Sequence, residues 1–230
     1  MHLLVFLKRP NFWICLVGVL SLALVAWSVT GLVDEKDFKQ IAFDFGLAIL
    51  VSLLIYVLIS WWPEKRKKIA LQRYLKSQYE ELLDDLIPEY LFACGNHSDL
   101  GTPEQLKSQE VFRAYFKEKF SDSQDRWHAV ASCLQSDTDM YVRVILTLKR
   151  FQSELDVCVT LSAVNIEQGG FAQLRHMSQV LRQTINQSTE QDYDGIKQLC
   201  RFLWSLHTGW SFADGYTGED HFKETIRNVF

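Results

Sequence analysis

Apolar residues run without a charge from position 11 to 33 (NFWICLVGVLSLALVAWSVTGLV). They run again from 41 to 62 (IAFDFGLAILVSLLIYVLISWW), where Asp44 is the single exception. A bilayer crossing takes about 20 predominantly apolar residues, and both stretches reach that length. Seven residues separate them, 34–40 (DEKDFKQ), too few for anything but a tight turn at one membrane face. The pattern predicts a transmembrane helical hairpin over residues 1–62. The competing reading of the first stretch is a cleavable signal peptide with Lys8 and Arg9 as its basic region. Such cores run about 7 to 15 residues and end at a small-residue cleavage site, whereas this one is longer and leads into Thr30-Gly31-Leu32-Val33.

After position 62 the spacing becomes that of amphipathic helices. Leu71, Leu75, Leu82 and Leu86 form one stripe of a helix over 63–93, which Pro88 is expected to kink or end. Residues 94–101 (CGNHSDLG) read as a loop. Thr102 as N-cap and Pro103 at the first helical position open a helix to about 120, and a shorter one follows through Trp127, Val130 and Leu134. Asp137 to Asp139 caps a long helix over 140–166, which Val157, Leu161 and Val164 make apolar on further sides, as expected of a central helix. Gly169-Gly170 ends that pattern. Two more helices are predicted over 171–186 and 193–212, then a turn at Gly215 and Gly218 and an amphipathic end over 219–229. Nothing alternates at period two for long enough to make a sheet. The fold class is all-α, a hairpin followed by a helical bundle over 63–230.

Charge orients this plan. Lys8, Arg9, Lys65, Arg66, Lys67 and Lys68 flank the outer ends of the two apolar stretches, against Lys36 and Lys39 in the turn. Cationic flanks stay on the cytoplasmic side, which predicts a multi-pass protein with both termini inside. Phe12, Trp13, Trp61 and Trp62 then share the inner interface. From position 69 onward, 16 Lys plus Arg stand against 23 Asp plus Glu, a formal charge of −7, which argues against a nucleic-acid footprint. Cys15, Cys94, Cys133, Cys158 and Cys200 are odd in number and scattered, as free thiols of a reducing compartment would be.

Candidate chemistry is sparse. The chain holds no phosphate-cradling glycine loop, no Gly-x-Ser-x-Gly elbow and no His-Glu-x-x-His helix, so neither an enzyme nor a cofactor is expected. Cys94 and His97 stand at metal-ligand separation without a second pair, so no metal site is expected. Asp44 is the most informative residue. An acid on a spanning helix faces another helix, a pore or, one turn in, the interfacial water. Ala42 and Gly46, four apart, form a small-residue face for close helix packing within the hairpin or between protomers, and a homo-oligomer is expected. Lys65, Arg66, Lys67 and Lys68 serve as the topology signal or hold anionic lipid head groups. Trp204, Trp210 and Asp214 form an aromatic and acidic cluster that suits a partner surface, although core packing also explains the tryptophans.

With its hairpin, its basic collar at Lys65 to Lys68 and its cluster from Trp204 to Gly215, the chain resembles the two-transmembrane effectors of bacterial anti-phage defence. It is most similar to the membrane effector encoded beside certain retron reverse transcriptases. The resemblance implies a toxin-like protein of the inner membrane. A reverse transcriptase and its RNA–DNA product would hold it silent until infection releases it to depolarise the membrane in abortive infection. The alternative from the residues alone is a membrane-anchored scaffold or sensor that recruits a cytosolic partner through its helical domain.

Overall fold

The computed structural model describes residues 10–29, 36–95, 102–119, 124–162, 168–188, 191–211, 215–216 and 220–229. The chain divides into two compact units, Met1–Lys67 and Lys68–Phe230. It is predominantly helical.

In the first unit α1 (Pro10–Val29) packs against α2 (Lys36–Tyr56). Helix α2 starts inside the stretch expected to be a turn, because Lys36 to Gln40 contains neither glycine nor proline to stop it. A π-helical turn, Val57–Trp61, follows, and the Trp62 N–H donates to the carbonyl of Val57 five residues back. Sequence reading missed this turn. Its physical cause is Pro63, which has no N–H and whose ring would clash with the carbonyl of Ile59, so a widened turn just upstream relieves both problems.

Helix α3 (Trp62–Ala93) runs through Pro88 rather than ending there. The proline ring lies on an exposed face, and Tyr90 and Leu91 beyond it are buried. Burying two large side chains at about 1.5–3 kcal/mol each offsets the roughly 3 kcal/mol of an internal proline. The helix expected from Thr102 to position 120 is two, α4 (Thr102–Gln105) and α5 (Gln109–Lys117). At the break Leu106 is buried, while Lys107 pairs with Asp84 at 2.6 Å and Glu104 at 2.8 Å.

Asp125 caps α6 (Arg126–Ser136) by accepting the His128 N–H at 2.8 Å. Asp137 caps α7 (Thr138–Ser162) by accepting the N–H groups of Asp139 and Met140. The Gly169-Gly170 pair, expected as a break, lies in the first turn of α8 (Gln168–Gln187). Helix α9 (Tyr193–Thr208) stops four residues before the expected end, because Gly209 adopts φ +62°, a left-handed C-cap that glycine favours. A short antiparallel pair, β1 (Trp210–Ser211) and β2 (Gly215–Tyr216), follows, with Trp210 opposite Tyr216. Period-two patterning cannot reveal strands of two residues. Helix α10 (His221–Val229) ends the described chain.

The core of the second unit is organised on α3. Leu75, Tyr79, Leu86, Ile87 and Tyr90 are fully buried. Tyr79 meets Phe151 of α7 and Phe222 of α10, while Tyr90 meets Phe112 of α5, Trp127 of α6 and His207 of α9. Helix α7 is not central in the way its sequence suggested, since Val157 and Leu161 are 46% and 55% exposed. Its inner face is Val144, Leu148, Phe151, Leu155 and Cys158. The acidic outer side of α3 is neutralised by neighbours: Arg143 binds Glu89 bidentately at 2.8 and 3.0 Å, and Arg150 reaches Asp85 and Glu81.

Candidate functional site

Two places carry features beyond core packing. The first is the apolar surface of the N-terminal unit. Among the described residues one helical run, Phe43–Ala93, is long and apolar enough to cross a membrane by length and composition, and only 6% of its most apolar window is buried. A core helix of comparable hydropathy would be mostly buried. Here Ile59 is 71% exposed and Phe45 62%.

Close packing in this unit depends on Gly46. A Cβ built there would stand 2.8 Å from Val25 Cγ2 and 3.3 Å from the Ser21 carbonyl oxygen. Gly46 therefore stands where α1 and α2 approach closely within the chain; the side chain of Ala42 lies outside the described residues. Two hydroxyls on these helices are satisfied internally: Ser21 donates to the Gly18 carbonyl at 2.9 Å and Ser52 to the Ala48 carbonyl at 2.8 Å. That is what a hydrocarbon surrounding demands of polar groups. Asp44 is exposed, about 200° round α2 from Gly46. Farther on, Lys65 Nζ lies 4.9 Å from the Trp61 ring centroid and Arg66 Cζ 5.2 Å from that of Trp62. These cation–π pairs order two of the collar cations on the tryptophans one turn before them. Lys67 is exposed and Lys68 half-buried.

The second place lies in the C-terminal unit, where Trp127, Trp204, Trp210 and Tyr216 line an open cavity of about 350 Å³ with Lys117, Asp125, Cys200 and Arg201. Each ring is placed by a local device. Trp127 sits in the first turn of α6 behind its Asp125 cap, and Trp204 lies on α9 with its ring 5.1 Å from that of Trp127. The left-handed Gly209 turns the chain so that Trp210 pairs with Tyr216. The Tyr216 ring meets two cations of α5, Arg113 at 4.6 Å and Lys117 at 4.8 Å. Trp204 thus serves the core and lines the cavity at once, and Asp214 falls outside the described residues. Half-exposed aromatic rings with a charged rim suit capture of an apolar or aromatic side chain from a partner.

Titratable groups buried in the C-terminal unit stay uncharged near neutral pH. His207 stacks on Phe112 at 4.4 Å, and burial with the nearby Lys223 charge pushes it down to about 3, so it is neutral at physiological pH. Burial raises the thiols of Cys94 and Cys158 to about 11 and that of Cys200 to about 12, which keeps them protonated. Cys94, Cys133, Cys158 and Cys200 are free. Among the described residues no group of three or more His, Cys, Asp or Glu is placed to hold a metal, and His97 lies outside them.

The structure does not gather the sequence-selected residues into one site. It brings Trp204 and Trp210 together and adds Trp127 and Tyr216, which sequence reading missed as cavity residues. The available signal was Gly209-Trp210 with Gly215-Tyr216, a glycine–aromatic step repeated six residues apart. Compared with known proteins, the chain matches no family model, no curated protein and no solved structure.

Proposed function

We propose that this chain is a non-enzymatic effector of the bacterial inner membrane, with α1 and α2 crossing the bilayer as a hairpin and both termini in the cytoplasm. The observation that carries the reading is the outward apolar surface of α2 and the π turn, where Ile59, Phe45 and Ile41 are 71%, 62% and 66% exposed. Leaving such a surface in water is unfavourable, at about 25 cal/mol per Å². The Trp61–Lys65 and Trp62–Arg66 pairs at one end of the apolar run suit an interfacial belt next to a cationic inner collar.

In this proposal the hairpin is the working part and the helical domain its control. Released from an inhibitory partner, copies of the chain associate and depolarise the membrane, with Asp44 at the outer mouth, and growth stops before phage multiply. The resemblance to retron-associated effectors supplies the partner of the proposal, a reverse transcriptase with its RNA–DNA product. The test is to induce the chain alone and with that partner, apply the phage trigger and follow membrane potential with a dye. Depolarisation on release supports the effector.

Unchanged potential leaves the second reading, a membrane-anchored scaffold or sensor. What favours it is the aromatic cavity at Trp127, Trp204, Trp210 and Tyr216. Under the effector reading, the same cavity is where the inhibitory partner docks.

A further inference from the structure

Cations reaching α3 from other elements meet acids: Arg143 meets Glu89, Arg150 meets Asp85 and Glu81, and Lys107 meets Asp84. The cleft between the early part of α3 and α10 follows this pattern only in part, because Arg73 and Arg227 have no ion pair among the described residues. Helix α10 lies antiparallel on α3, fixed at both ends. At its start the Tyr79 hydroxyl donates to both Asp220 carboxylate oxygens at 3.1 Å and Phe222 stacks on Tyr79 at 5.6 Å. At its end Gln72 Nε2 donates to the carbonyls of Ile226 and Arg227, each at 3.3 Å.

This strapping brings Arg73 and Lys76 of α3 onto one cavity of about 600 Å³ with Lys223 and Arg227 of α10. Two carboxylates also line it, and both have other commitments. Asp220 takes the Tyr79 hydroxyl, caps α10 through the N–H groups of Phe222 and Lys223, and stands 3.7 Å from Lys223 Nζ. Glu224 accepts from Asn228 at 3.5 Å. Lys76 has a Glu80 partner at 3.7 Å, and among the described residues Arg73 and Arg227 have no ion pair. The lining is therefore net positive within a region whose formal charge is −7. With Lys76 near Glu80 and Lys223 near Asp220, the two guanidinium groups of Arg73 and Arg227 are the lining's uncompensated charges, and an anion between them would be attracted to both.

We propose that this cleft binds a phosphate-bearing ligand whose anion is held among Arg73, Lys76, Lys223 and Arg227. Guanidinium forks match phosphate oxygens and form charge-assisted hydrogen bonds with them. Ile226 and the aliphatic stems give the cavity an apolar side for the ligand's remainder. The ligand is either the head group of an anionic phospholipid or a soluble phosphate compound. The site is independent of whether the hairpin permeabilises a membrane.

The test uses the full chain in neutral detergent micelles, titrated calorimetrically with dioctanoyl phosphatidylglycerol in one arm and inorganic pyrophosphate in the other. The expected result is saturable binding of at least one probe, weakened about 10- to 100-fold in Arg73→Gln/Arg227→Gln, at about 1.4 kcal/mol per tenfold. Arg175→Gln/Lys149→Gln, at two exposed cations on α8 and α7 outside the cleft lining and with the same charge loss, binds as wild type. Saturation by phosphatidylglycerol alone identifies a lipid head group, and pyrophosphate binding at least as tight identifies a soluble ligand. Lys76→Gln, with an expected loss of about threefold, replaces the double variant should that not fold. Saturation by neither probe, or equal affinity of the cleft variants and wild type, overturns the proposal.

Discussion

The two units use the same large apolar residues in opposite ways. In the first, Ile59, Val19 and Phe45 point outward at 71%, 66% and 62% exposure, whereas in the second Leu86, Phe112 and Leu148 are fully buried. Composition alone does not separate these cases; what differs is where the side chains point. In the second unit removal from water drives apolar groups inward. In the first the inward positions go to Gly46 and Ser21, which fits the proposed place in lipid, where close packing and satisfied polar groups rather than apolar burial would hold helices together. The contrast predicts unequal responses to the same deletion. Leu86→Ala should lower the stability of the helical domain by about 2–5 kcal/mol, read by denaturant or thermal melting. Ile59→Ala should leave that melt unchanged, and an equal loss in the two would erase the distinction.

Protonation sharpens it next. His207 is held near 3 in the folded domain against an ordinary 6.5, so the unfolded chain binds the extra proton. Stability is then full above about pH 6.5 and falls as pH drops toward 3, by up to about 1.4 kcal/mol per pH unit. His207→Phe keeps a ring against Phe112 and should flatten that slope in melts taken between pH 6.5 and 4. A variant slope as steep as wild type would assign the acid sensitivity elsewhere.

Smaller effects are expected in the first unit. Gly46→Val adds atoms where even a Cβ meets Val25 at 2.8 Å, and overpacking costs about 1–3 kcal/mol. The expected readout is a lower yield of disulfide between Gly18→Cys and Leu53→Cys, positions that face each other across α1 and α2. An unchanged yield would mean that the helices do not depend on this close approach. Smallest is Asp44→Asn, expected to alter the ion selectivity of leakage while insertion stays normal. Wild-type leakage in both Asp44→Asn and Asp44→Leu would make the residue a bystander.

The fold was legible wherever a pattern lasted several turns. The Leu71 to Leu86 stripe and the Asp137 cap lie where spacing and capping chemistry placed them, because 3.6-residue periodicity and side-chain acceptors are local properties. Features set by tertiary contacts were not legible. Pro88 reads as a stop until the burial of Tyr90 and Leu91 beyond it is known, and the exposure of Val157 and Leu161 depends on which helix takes the centre. Of the sites, a close approach such as that at Gly46 is the kind of feature small-residue spacing signals, because that spacing has a steric meaning. Trp127 and Tyr216 were not legible, since packing of α6 on α9 puts Trp127 beside Trp204 and the Gly209 turn pairs Tyr216 with Trp210. The α3–α10 cleft was invisible for the same reason, its cations lying some 150 residues apart in the chain.

The central claim is that the first unit resides in lipid while the helical domain stays inside the cell. Its most direct test is protease treatment of intact spheroplasts and of inverted membrane vesicles carrying the full chain, probed with an antibody to the C-terminal domain. The account predicts a protein that sediments with membranes through an alkaline wash, protected in spheroplasts and digested in inverted vesicles. A freely soluble chain, or a C-terminal domain digested in intact spheroplasts, would contradict it.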